Sequence, residues 1–402
     1  MGFQQGLAGL NAAARNLDVI GNNVANSGTV GFKSARAEFA DVYATSVYGT
    51  GTASPGIGVS VSDLAQQFTQ GDLATSTNAL DIAINGGGFY RLSNNGAISY
   101  SRNGQFKLDK EGFIVNAQSM RLTGYPAGAN GAVNAGVPQE LRLDTSDIPP
   151  RPTTSASIGV SLNATATAPT AAFDPADGTS YNNGTSIGVY DSLGREHAVA
   201  VYFRKAATPD NTWEVHGTID GGAATQFGTM SFDATGVLTS SPDFTLALPG
   251  VGGAQAQTVS LSLAGATQFG SDFSISALDQ DGHAAGRLAG FSVGADGTIL
   301  SRYTNGETVA RGQIALANFT NPQGLQSQGG NQWVETADSG QPLVGAPGSG
   351  TLGVLQSGAV ESSNVDLTAE LVNMITAQRV YQANAQTIKT NDQLLQTIVN
   401  LR

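Results

Sequence analysis

The sequence predicts a mixed, mostly β protein whose two ends are α-helices. The helices form a coiled-coil-like domain, and the middle forms nested antiparallel β-domains in an out-and-back, discontinuous arrangement. Three observations carry this. Phe3, Leu7, Leu10, Ala14, Leu17, Gly21 and Val24 recur at alternating spacings of four and three, the seam of a coiled coil. Leu367, Leu371, Met374, Gln378, Tyr381, Ala385 and Ile388 do the same at the other end, continuing to Leu395. Between them lie all ten Asn-Gly and Asp-Gly dipeptides of the chain, the strongest short-range hairpin signal.

Composition narrows the class. The chain has 402 residues, 52 of them Gly, and only 12% charged residues, where average domains carry about 25%. A length of this order predicts two to four domains. The net charge of −12, without a Lys/Arg cluster, argues against a nucleic-acid partner. Cysteine is absent, so stability has to come from burial and from neighbours in an assembly. The opening Met1–Leu7 stretch has neither a basic n-region nor a long apolar run, so a cleaved signal peptide is not expected. No run reaches the ~18 apolar residues of a membrane span, so membrane insertion is not expected.

The first helix is expected to reach about Val24 and to stop at Asn26-Ser-Gly28, with Gly28 as a left-handed cap. Asn26 and Ser27 are placed to satisfy the last helix carbonyls or to open an Asx turn, Gly31 to bend the backbone, and Phe32 to anchor the next strand or loop. The last helix is expected from Val365 to Arg402, about 55 Å if straight, with a kinked or shorter helix as the alternative. Ser363-Asn-Val-Asp366 has capping-box spacing. Gln378 and Asp392 are costly in a dry two-helix seam and suit one that meets water or many copies.

In the middle, alternating runs (Val199, Val201, Phe203; Trp213, Val215) read as strands. Composition shifts at Pro149-Pro-Arg-Pro152 and again at Asp279-Gln-Asp-Gly-His283. The expected organisation is 1–30 with 360–402 as the helical assembly domain, 31–70 as a linker or extended segment, 71–147 with 286–359 as an inner β-domain, and 148–285 as an inserted outer β-domain.

No chemistry is apparent. His197, His216 and His283 are too scattered to suggest a shared metal, and Asp279-x-Asp281-Gly282 lacks the later ligands of a calcium loop. Gly348-Ser-Gly-Thr-Leu-Gly353 fits a dinucleotide fingerprint by letter, but no βαβ pattern surrounds it, and it reads as a flexible connection. No catalytic residue, metal or cofactor is expected.

Ala25, Asn26, Ser27, Thr29, Gly31, Phe32 and Lys33 stand in the order of a helix-ending Ala-Asn-Ser turn, a Thr, and Gly-Phe-Lys. This stretch resembles the signature of the bacterial flagellar rod and hook axial proteins. Ser363-Asn-Val-Asp-Leu367, Gln378-Arg-Val-Tyr-Gln-Ala-Asn384 and Asn400-Leu-Arg402 resemble the C-terminus of the same family. Gln70-Gly-Asp-Leu73, Arg102-Asn-Gly-Gln-Phe106 and Leu122-Thr-Gly-Tyr125 extend the match inward, and Tyr190-Asp-Ser-Leu-Gly194 with His197 is similar to its hook members.

The resemblance implies a non-enzymatic structural subunit that polymerises with itself into a hollow, flexible helical tube, a universal joint between rod and filament. Its implied partners are the distal rod protein, the hook cap, the hook–filament junction proteins and the flagellar type III export apparatus. Its implied location is the cell-external flagellum, reached without cleavage. The seam residues would be the assembly interface. Two other readings stay open at this point: a distal rod subunit, and a secreted β-rich glycan-binding module or hydrolase. Deleting about Pro150 to Gly286 is expected to leave a folded inner β-domain. Circular dichroism of the shortened chain checks this, and loss of the β-signal would move the boundary.

Overall fold

The computed structural model describes residues 2–42, 56, 58–128, 131–134 and 136–400. The closing Leu401-Arg402 of the family motif and part of the 31–70 segment lie outside the described residues. Helices occupy the two ends, α1 (Gly2–Ala25) and α2 (Leu367–Asn400), and strands fill the middle, as the sequence predicts. The chain divides into two compact units. One is Met1–Thr145 with Gly290–Ser301 and Val309–Arg402; the other is Ser146–Ala289 with Arg302–Thr308.

In the first unit, outgoing strands pair with returning ones. Ile82–Asn85 lies antiparallel to Val354–Ser357, and Leu73–Thr75 to Ala359–Glu361. The main sheet runs in the order Thr308–Ile314, Arg121–Pro126, Phe89–Asn94, Ala97–Ser101, Gln332–Val334 and Gln326–Gly329. Its core joins Ile82, Tyr90, Leu92, Ile114 and Leu122 to Ile299, Ile314, Leu316 and Leu355. An aromatic cluster of Phe68, Phe89, Tyr100, Phe319 and Trp333 packs beside it, the rings meeting edge to face at centroid distances of 4.7–6.0 Å.

The 31–70 segment, expected as a linker or extended segment, contains an antiparallel pair, Ala35–Val42 with Gly58–Gln66. Residues of α1 pack against this part of the chain. Ala12, on α1, is buried, and the side chain of Gln5 donates to the Gly56 carbonyl at 2.6 Å. Ala-rich and Gly-rich helix faces allow this close approach.

The second unit is a β-sandwich. A four-stranded meander (Asn183–Tyr190, Glu196–Lys205, Thr212–Ile219, Thr225–Ser231) faces a five-stranded sheet centred on Ser155–Asn163. Val199, Val201, Phe203, Trp213 and Val215 from the first meet Ile158, Val160, Leu162, Val259 and Leu261 from the second, all within 1% of full burial. Trp213 donates its indole N–H to Gln268 at 3.0 Å, so the largest core side chain leaves no polar atom unpaired. Ser155–Asn163 runs parallel to Gln257–Ser262 and Thr267–Phe269. The antiparallel expectation is incomplete there, because the meander intervenes between those strands in sequence and brings the chain back in the same direction.

Turn chemistry explains part of the strand order. Asn95-Gly96 and Asp220-Gly221 both take positive φ at both residues (51° and 94°; 50° and 70°), the twist that closes a tight hairpin. Asn183-Gly184 instead begins a strand. The Gly348–Gly353 stretch, read as flexible, is a hydrogen-bonded turn: Gly348 N–H donates to Gly353 O at 2.9 Å, and Gly353 N–H to Gly87 O at 2.8 Å. Asp281 spends its carboxylate on the N–H groups of Thr154 (2.8 Å) and Ser155 (2.9 Å).

The Tyr190–Gly194 motif forms a turn in which Asp191 accepts from the N–H groups of Leu193 and Arg195, both at 2.9 Å. His197 comes next, 2.7 Å from Asp220 and 3.3 Å from Asp191. The Asp220 contact, with help from Asp191, raises the His197 pKa above the ordinary 6.5. Both aspartates are pulled below the usual carboxylate range, Asp191 by the Arg195 and Leu193 N–H groups against its burial, Asp220 chiefly by His197. A raised folded pKa gives stability that is complete below the unfolded value of about 6.5 and is lost as pH rises through the folded value. The aspartates' share is lost only as pH falls below about 3.9. The second unit should therefore lose melting temperature as pH rises above about 6.5, and His197→Asn should flatten that slope. Calorimetry across this range checks it.

Candidate assembly interface

The helices pair antiparallel within one chain. At one end Gly6 and Gly9 leave so little room that an added Cβ would lie 3.0 Å from Ile388 and 2.7 Å from the Asn384 side chain. At the other, Asn23 donates to Glu370 at 3.3 Å. Gly6, Ala13, Ile20 and Asn23 of α1 and Ala377 of α2 are buried. This contact stripe lies one residue before the predicted seam on α1, and again on α2 around Glu370, Ala377 and Asn384.

The predicted seam is therefore not the contact within the chain. Phe3, Leu7, Leu367, Leu371, Tyr381 and Leu395 are between 37 and 56% exposed. Leu10, Ala14, Leu17, Val24, Met374, Ala385 and Ile388 are half-buried, Ile388 among them touching Gly6. The reason is steric: the Gly and Ala stripe lets two backbones come close, while the Leu stripe would hold them apart. Periodicity marks both stripes equally, and residue size distinguishes them. Ranking positions by hydrophobicity selects the Leu stripe and passes over the small one.

Both helix ends are capped differently from expectation. The side chains of Asn26 and Ser27 donate to the carbonyls of Asn22 and Val24, each at 2.9 Å, as expected. The left-handed residue is Gly31 (φ 70°), however, and not Gly28. At α2, Asp366 rather than Ser363 is the cap, accepting from Thr368 at 2.9 Å and Ala369 at 3.1 Å. The helix runs unbroken for 34 residues, about 51 Å. Gln378 and Asp392 both face water.

The Gly-Phe-Lys motif has a physical cause that the sequence does not display. Lys33 is buried, its ammonium 2.6 Å from Glu361 and 2.6 Å from the Thr69 carbonyl. The guanidinium of Arg102 reaches the other Glu361 oxygen at 3.1 Å and donates to Gly88 O at 2.6 Å and Gly86 O at 2.9 Å. Gly71 N–H also donates to the Glu361 carboxylate, at 2.9 Å, and Gly31 N–H to the Glu361 carbonyl, at 2.8 Å. A Cβ on Gly31 would sit 2.6 Å from the Asn103 backbone, so both its φ and its space demand glycine. Phe32, expected as the anchor, is only half-buried; Lys33 is the anchor. Burial lowers the Lys33 pKa against the opposing pull of Glu361, and burial likewise lowers that of Arg102.

Four family models match the chain in order. Residues 3–33 match the flagella basal body rod protein, 83–162 the flagellar hook protein FlgE/F/G D1 domain, 161–283 the flagellar basal body protein FlaE D2 domain, and 356–401 the flagellar basal body rod FlgEFG protein C-terminal model. Paired terminal helices around a nested β-body with these signatures define the axial-protein class of the bacterial flagellum. The chain is 45% identical over 412 residues to the flagellar hook protein FlgE of Salmonella typhimurium and 44% over 411 residues to that of Escherichia coli K12, all of both chains being covered in each case. It is 32% identical to that of Borreliella burgdorferi, over 99% of this chain and 98% of the other. It belongs to the flagellar hook protein FlgE family. The crystal structure of the hook protein FlgE2 of Helicobacter pylori shares the fold, with a TM-score of 0.54 and 16% identity over 72% of this chain and all of that one.

Glu361→Gln would leave Lys33 and Arg102 as buried cations without a counter-charge. It should destabilise the first unit by about 3–5 kcal/mol, whereas Lys33→Met, which leaves Glu361 paired with Arg102, should cost clearly less. Urea unfolding of both variants measures the order, and equal losses would show that the three charges do not act as one cluster.

Proposed function

We propose that the chain is a structural, non-enzymatic subunit of the flagellar hook. It polymerises with itself into a hollow, flexible tube that joins rod to filament as a universal joint and transmits torque. The observation that carries self-assembly is α2: among its described residues only Ala377 is buried, while Leu367, Leu371, Val372 and Ile375 are 45–58% exposed. A helix that leaves such apolar surface to water is waiting for neighbours. Full-length identity to hook proteins supports the hook over the distal rod, and nothing in the fold favours the glycan-binding or hydrolase alternative.

On this reading the terminal helices surround the channel, their Gln and Asn faces meet water, and the β-structure lies outward, with the 148–285 insert on the outer surface. Surfaces rich in Ser, Thr, Asn and Gly slide past one another at small free-energy change, which repeated bending of the tube requires. The partners are further copies of the chain, the distal rod protein, the hook cap and the junction proteins. Export is by the flagellar type III apparatus to the cell exterior.

Leu371→Asp places an unpaired carboxylate in the inter-subunit contact, at several kcal/mol per subunit. Tube formation should fall at least about 100-fold by sedimentation and electron microscopy, with the melting temperature of the monomer unchanged. A destabilised monomer that still forms normal tubes would assign Leu371 to the chain's own core.

A further inference from the structure

The two ends of α2 are unequal. At its start Leu367, Leu371, Val372 and Ile375 form an apolar patch over two turns, 45–58% exposed. Further along, most outward positions are polar, with Gln378, Arg379, Gln382, Gln386 and Lys389 all exposed and Val380 and Tyr381 the exposed large apolar side chains among them. Its far end is exposed for another reason. Gly6 of α1 lies against Asn384 and Ile388, so the antiparallel α1 runs out near residue 392, and roughly the last two turns of α2 have no α1 beside them. Leu395 continues the Ile388 position seven residues on, and with Leu394 it is 56–57% exposed. It has the face for a helix partner, and no helix among the described residues lies beside it.

We propose that these two patches bind one another between copies: the overhanging Leu394–Leu395 end of one subunit's α2 docks on the Leu367–Ile375 patch that opens α2 in the next subunit. The inference rests on the self-assembly reading and names the contact. Leu371 and Leu394 lie 23 residues apart on one unbroken helix, roughly 35 Å, so the patches cannot meet within a chain. Each is apolar and each is short of cover. A contact between two different patches does not close on itself, so each subunit exposes a fresh patch for the next, and the product is an open filament instead of a dimer. The length of α2 then sets the subunit repeat.

The absence of cysteine makes the test clean. Leu371→Cys and Leu394→Cys are made separately and together, assembled, and oxidised with copper phenanthroline. The double variant should give a ladder of covalent multimers, and an equimolar mixture of the two single variants should give dimers. Each single variant alone should stay at least tenfold less cross-linked. Single variants that cross-link as well as the mixture would mean that like patches meet, and would overturn the proposal. Tubes of normal appearance without the ladder overturn this contact and leave self-assembly standing. Failure of the unsubstituted chain to assemble overturns both.

Discussion

One carboxylate holds the first unit together. Glu361 lies on the strand that returns toward α2, yet its partners come from four places: Lys33 after α1, Gly71 just before Leu73–Thr75, Arg102 just after Ala97–Ser101 of the main sheet, and Gly31 through the main chain. Burying such a group is costly in isolation, and it persists here because two cations and an N–H surround it. The cluster fixes where α1 ends relative to where α2 begins. Asn364 reinforces it, accepting from Ser34 N–H at 2.8 Å and donating to Gln67 O at 2.7 Å. Without these ties the two helices would be joined only by their own narrow stripe.

That stripe is mostly of small residues, Gly6, Gly9, Ala13 and Ala377, beside Ile20 and Asn23. It gives close approach and leaves the Leu-bearing faces of both helices free. One pair of helices thus carries two kinds of surface, a small-residue stripe that packs within the chain and a larger apolar one left to water.

The helices and the β-rich middle were legible from periodicity and turn dipeptides, because both arise from local spacing. The seam was legible as a repeat, though not as to which of two adjacent stripes the chain uses for itself, since that depends on how close the backbones come. The ion cluster was not legible at all: Lys33, Arg102 and Glu361 are far apart in sequence, and nothing local distinguishes a buried lysine from a solvated one. Asp366 outranked Ser363 as cap because only its carboxylate meets the first free N–H groups. The parallel pairing of Ser155–Asn163 likewise depends on the route of the chain and not on any single segment.

The long segment of the second unit, Ser146–Ala289, begins and ends on itself. Ile148 and Gly286 exchange both backbone hydrogen bonds, at 2.9 and 3.1 Å, and Arg151 and His283 do the same at 3.0 and 2.9 Å. Its entry and exit are therefore stapled into a short antiparallel stem. Whatever lies beyond the stem can lengthen, shorten or be exchanged without moving the two chain ends apart, and added loop length carries only a slowly growing entropic penalty. In evolutionary terms the stem is a socket: the module that it closes is free to diversify in size and surface while its two chain ends stay side by side.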